Sequence, residues 1–170
     1  MVTEDLIEHA MDREHATMSY GAVFFQVWAG ACTLPAADGI DHALGALARR
    51  FPDGIALVGL SRPGVSVVPP SDVRERLAAM FERHASGVRC IATVIAGEGF
   101  IAATKRAVIA TIAMVARQAI PLQIFEEPAS SCRWVFERLA GLPGCPTSAG
   151  ALHEALVEIE QRYDAFLTRG

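Results

Sequence analysis

The sequence predicts an α/β fold. It reads as a mostly parallel, four- or five-stranded sheet with helices on both faces, an N-terminal segment before it and an extra C-terminal helix after it. Three observations carry this reading. Short apolar runs without polar alternation, at 55–60 and 88–95, are what strands covered on both faces look like. Stretches with apolar residues at helical spacing separate those runs, and strands alternating with helices demand right-handed crossovers and parallel pairing. The chain has 170 residues, of which 52% are apolar and 20% charged, enough for one core of ordinary size and too apolar for a disordered chain.

In chain order, residues 3–15 predict a short helix with Thr3 as N-cap, so that 1–16 forms an N-terminal helical segment. An edge strand around 17–20 turns at Gly21 into the aromatic and β-branched run 23–28. Over 38–50, Ile40, Leu44, Leu47 and Phe51 share one helical face, and Pro52-Asp53-Gly54 ends it. The strand at 55–60 leads into a Pro- and Gly-rich loop, 61–70. Ser71 is the expected N-cap of the next helix, through His84, with Asp72 and Glu75 complementing the positive end of its dipole.

A strand at 88–95, a turn Gly97-Glu98-Gly99 and a helix over 100–117 repeat the cycle, and a short strand at 122–125 follows. Pro128 suits the first turn of the helix carrying Trp134, Val135, Phe136 and Leu139. That closes an α/β domain over 17–141. A last helix, 147–168, sets Leu152, Leu156, Ile159, Tyr163 and Phe166 on one stripe. The helix over 100–115 is apolar around most of its circumference and competes for cover, so this stripe either packs back on that helix or pairs with a second chain as a two-fold homodimer.

With 15 Lys+Arg against 19 Asp+Glu, the net charge of −4 gives no electrostatic basis for a nucleic-acid partner. Residues 1–15 carry Glu, Asp and His where a secretory leader carries a basic and then an apolar stretch, and Lys105 and Arg106 interrupt the longest apolar helix. The expectation is a cytoplasmic protein with no transmembrane segment. Its four cysteines, Cys32, Cys90, Cys132 and Cys145, form no C-x-x-C pair, so they are expected to be reduced thiols rather than metal ligands.

The strand Phe24-Phe25-Gln26-Val27, the strand Ala56-Leu57-Val58 leading to a helix at Ser71, and Gly99-Phe100 with Lys105-Arg106 entering the third helix resemble the STAS superfamily. That is the fold of the bacterial anti-sigma-factor antagonists, and the likeness is to its divergent branch, over residues 19–139. The resemblance implies a non-enzymatic signalling module, regulatory or scaffolding, that acts through a protein partner or a small apolar ligand. It needs no cofactor, metal or catalytic residue. In the antagonists a partner kinase phosphorylates a Ser or Thr at the start of the helix after the second strand, and Ser71 occupies the comparable place. The sequence departs from that pattern in its long 62–70 loop and in Asp72-Val73, which follow Ser71 where the family has Gly.

Ligand or partner binding is expected at the carboxyl ends of the parallel strands, where helix N-termini and loop amides face outward. Ser61, Arg62, Ser71, Gly97, Gly99 and Arg106 belong to that edge, and Glu126 joins them. The alternative is a degenerate nucleotide-binding protein, since Gly97-Glu98-Gly99-Phe100-Ile101-Ala102 fits G-x-G-x-x-A between a strand and a helix. Against it, Glu98 places a carboxylate beside the pyrophosphate, and a tight strand-to-helix turn explains the glycines equally well. His84 and His153 lie near apolar helical faces and read as packed imidazoles.

Overall fold

The computed structural model describes residues 5–63, 65, 69–95 and 120–169. The turn at Gly97 and Gly99, Arg106 and the helix expected over 100–117 lie outside the described residues. Six strands form one sheet in sequential order: β1 (Leu6–Met11), β2 (His15–Tyr20), β3 (Val23–Trp28), β4 (Ile55–Ser61), β5 (Val88–Ile95) and β6 (Leu122–Phe125). The pairs β1/β2 and β2/β3 are antiparallel, and β3 through β6 are parallel. Four helices are described: α1 (Leu34–Arg50), α2 (Ser71–His84), α3 (Pro128–Leu139) and α4 (Ala149–Arg169). None of them is long and apolar enough to cross a membrane.

The α/β class is as expected, and the sheet is wider because the N-terminal segment is not helical. Residues 6–11 and 15–20 form an antiparallel pair joined at Asp12–Glu14. The carboxylate of Asp12 fixes this turn by accepting from the backbone N–H of Glu14 and of His15, both at 2.8 Å. As an edge strand β1 exposes Ile7, Glu8 and His9 together, so its sequence lacks the alternation that identifies a strand. A register shift between Glu8 and Ala10 interrupts the ladder at His9, and its ring meets the Ser19 hydroxyl at 2.9 Å. A bulge of this kind, with a charge beside it, protects an edge against further strand pairing.

The parallel strands step always in one direction, so right-handed crossovers place α1 and α2 on the same face. Trp28 marks that face, packed with Cys32, Ala36 and Ala37 of the α1 side and Val73 and Leu77 of α2. Consecutive residues of β2 through β5 are buried, and because neighbours in a strand point to opposite faces, the second face is covered too. The cover there is α3, which runs back along β5 and β4, and α4, which lies on α3 and crosses β2 and β3. Leu152, Ala155, Leu156, Ile159 and Tyr163 are fully buried in this layer. The C-terminal stripe is thus covered by the body of its own chain, with Phe166 left 39% exposed. Each large side chain so buried contributes about 1.5–3 kcal/mol before ordering costs.

Helix starts differ from expectation in two places. Thr33 caps α1 by accepting from the Ala36 N–H at 3.3 Å, about two turns ahead of Ile40, the first residue the apolar spacing marks, with Pro in the first turn. In α2 the cap position is Pro70 and no side chain caps it, so Ser71 is the first helical residue and not the N-cap. At the amino edge of the sheet, Gly21 has φ +55, and a Cβ there would run into the backbone carbonyl of Gly144. That carbonyl accepts from the Ala22 N–H at 2.8 Å and so ties the α3–α4 loop to the β2–β3 turn.

Between α1 and α2 the buried carboxylate of Asp41 accepts from Arg83, from Arg76 at 3.0 Å and from His84 Nε2 at 2.6 Å. Arg76 also pairs with Asp38 at 2.6 Å. Burial alone would push the Asp41 carboxyl up, but the His84 and Arg83 hydrogen bonds and charges outweigh it and hold it below the ordinary range. A depressed carboxyl stabilises the fold above its unfolded pKa and loses that contribution as pH falls through the folded value. Asp41→Asn should therefore cost about 1–3 kcal/mol in urea unfolding at pH 7. The gap from wild type should close progressively below about pH 4; a gap independent of pH would show that the carboxylate charge is not what clasps the helices.

Candidate functional site

The register of the sheet brings Trp28, Ser61 and Ile95 into one row at the carboxyl edge of the parallel strands. Because β2 runs antiparallel to β3, its first residue, His15, pairs with Trp28 and carries the β1–β2 turn to the same edge. The rings of His15 and Trp28 stack at 5.1 Å and 19°. The turn in turn fastens the segment after β3: the Glu14 carbonyl accepts from the N–H of Ala29 and of Gly30, both at 2.9 Å. The Glu14 carboxylate accepts from the Ala31 N–H at 3.0 Å. Partial burial would raise the Asp12 carboxyl, yet the two backbone N–H donors and the nearby His15 keep it below the ordinary range.

Arg62 follows β4, and its N–H donates to the Trp28 carbonyl at 3.0 Å, which continues the β3–β4 ladder by one bond. The side chain turns to the face covered by α4. Its guanidinium meets Asp164 at 2.8 Å, lies over the Tyr163 ring at 4.8 Å and reaches the Glu160 carbonyl at 3.5 Å. Half-burial pushes the Glu160 carboxyl up, partly offset by Arg62. The Tyr163 hydroxyl is pushed up to about 12, first by burial and then by Asp12, so it stays protonated in the physiological range. It is fully buried and, among the described residues, has no hydrogen-bond partner.

Of the residues the sequence singles out, Ser61 and Arg62 stand side by side at this edge, and Glu126 follows β6 there. Ser71 is exposed in the first turn of α2, beyond a loop that is described only in part. Gly97, Gly99 and Arg106 lie outside the described residues. Asp12, Glu14, His15 and Tyr163 are the residues that sequence reasoning missed. The first three fall within the stretch 3–15 that predicts a helix, although Asp-Arg-Glu between two segments containing apolar residues is a turn signal of the Asx kind. Nothing in the sequence marks Tyr163 apart from the stripe it shares with core residues.

Among the described residues no group of three or more His, Cys, Asp or Glu is placed to hold a metal ion. Burial pushes the thiols of Cys32 and Cys132 up to about 11 and that of Cys90 to about 12, which suits inert packing. No protein-family model, curated protein or solved structure matches the chain.

A buried hydroxyl without a partner destabilises the fold by about 1–3 kcal/mol. Tyr163→Phe keeps the ring under Arg62 and removes that group, so it should raise the unfolding midpoint in urea. A lower midpoint would mean that the hydroxyl makes a stabilising bond.

Proposed function

We propose that this chain is a non-enzymatic, cytoplasmic regulatory or scaffolding domain that binds a protein partner or a small apolar ligand at the carboxyl edge of its parallel strands, with Ser71 as its phosphorylated position. One observation carries this reading: Ser71 is an exposed first-turn residue whose hydroxyl is not spent on capping α2. A phosphate there gains from the positive dipole end of a 14-residue helix, although the Val73 N–H already donates to the Asp72 carboxylate at 2.9 Å. Arg74, three residues on, lies on the same side of the helix and is exposed, while Asp72 opposes the added charge. The order β3-α1-β4-α2-β5 is also the order of elements on which the resemblance to the STAS superfamily rests.

Incubation with ATP and extract of the native host should add one phosphate to the peptide that carries Ser71, and Ser71→Ala should abolish it while leaving the melting temperature nearly unchanged. Failure to label wild type removes the support for the switch. NADH or ATP alone should not move the melting temperature. A specific ligand at ~100 times its dissociation constant contributes about 2.7 kcal/mol, so a clear upward shift would favour the nucleotide-binding reading of Gly97-Glu98-Gly99 instead.

A further inference from the structure

The face of the sheet that carries α1 and α2 is not filled along its whole length. In each of β3, β4 and β5 one interior residue is part-exposed, Gln26, Gly59 and Thr93, although its neighbours on either side in the strand are buried. The register sets these three side by side in one row. Gln26 lies two residues from Trp28 and accepts from its indole N–H at 3.3 Å, so the row looks to the same side as Trp28, toward α1 and α2. A Cβ built on Gly59 would meet no atom of the described residues within 4 Å. The helices leave room for this space: α1 and α2 pack on each other, but neither comes as near to a strand as α3 does to β4 and β5. Toward the amino edge the next row on this face, Phe24, Leu57 and Ile91, belongs to the main core. Toward the carboxyl edge Trp28 packs on the separate cluster of α1 and α2 residues, and the gap lies between the two.

We propose that this gap is a binding cleft for a small, flat, uncharged ligand with one hydrogen-bonding edge. The proposal rests on the reading of the chain as a binding module and names the ligand class that reading leaves open. Part-exposed Trp28 and Ser61 form the mouth, at the carboxyl edge. Neighbouring strands stand about 4.8 Å apart and two residues rise about 6.6 Å, so the floor from β3 to β5 has the footprint of one ring or two fused rings. Gly59 leaves that floor bare, and Trp28 supplies an aromatic wall. The Gln26 carbonyl accepts from Trp28, which leaves the N–H groups of its amide to donate, and the Thr93 hydroxyl can donate or accept. Neither the row nor its mouth at Trp28 and Ser61 contains a charged residue, so an ion would lose its hydration there without a partner.

Titration of the isotope-labelled full chain with benzamide, followed by NMR, tests the cleft. Saturable shifts are expected at the Gln26 side-chain amide, the Trp28 indole N–H and the backbone N–H groups of Gly59 and Thr93. Benzoate, of nearly the same shape but charged, should bind several-fold more weakly. Gly59→Ala should melt no lower than wild type, because its Cβ enters open space, and should weaken benzamide binding; the bulkier Gly59→Val should abolish it. A lower melting temperature for Gly59→Ala, no saturable shift in the row, equal binding of benzoate, or unchanged affinity in Gly59→Val overturns the cleft. Shifts confined to residues 29–32 also overturn it while keeping the carboxyl edge as the binding site. None of these outcomes depends on phosphate at Ser71, so failure of the switch and failure of the cleft are told apart.

Discussion

Handedness is the constraint on which the rest of this structure depends. Parallel strands β3, β4 and β5, laid down in sequential order and joined by right-handed crossovers, send α1 and α2 to one face and leave the other to be covered. The strands are apolar on both faces, so something must cover the second. The chain solves this after β6 by turning back, with α3 over β5 and β4 and α4 over β3 and β2. The C-terminal helix is therefore a wall of the core rather than an appendage. Its loop is fixed to the amino edge through Gly144 and Gly21, and its far end reaches the carboxyl edge at Arg62.

The same topology gathers polar groups at one edge. Parallel strands present their loops and the starts of α1 and α2 there, and the antiparallel β2 returns the Asp12–Glu14 turn to it. The result is a carboxyl edge with two characters. Around Trp28 it is tied down by stacking, backbone bonds and an Asx turn, so its shape is set in advance. Toward α4 it is held by Arg62, an exposed carboxylate and a tyrosine whose hydroxyl has no hydrogen-bond partner among the described residues.

Much of the core was legible in the sequence because burial on both faces leaves an unmistakable pattern. β4 and β5 stand where the apolar runs at 55–60 and 88–95 stand, β6 stands at the short strand expected over 122–125, and α2 and α4 begin and end within a few residues of their spacing and punctuation. What escaped was decided elsewhere. β1 is an edge strand that exposes consecutive residues, so its period is neither two nor 3.6, and it was readable only together with its partner β2. The start of α1 hides in Thr33 and the proline after it, not in the apolar face. Ser71 looked like a cap because Ser is a good one, yet Pro70 holds the cap position. Within the site, Ser61 and Arg62 followed from the strand end, whereas their meeting with Asp164 and Tyr163 joins residues about 100 positions apart and exists only in the folded chain.

The central claim, that the C-terminal helix completes the core by covering the second face of the sheet, is tested most directly by removing it. A chain ending at residue 147 is predicted to lose its cooperative unfolding transition and to bind a hydrophobic dye strongly, as expected of a sheet with one face stripped. A truncated chain that melts cooperatively at the midpoint of the full one, without binding dye, would contradict the account.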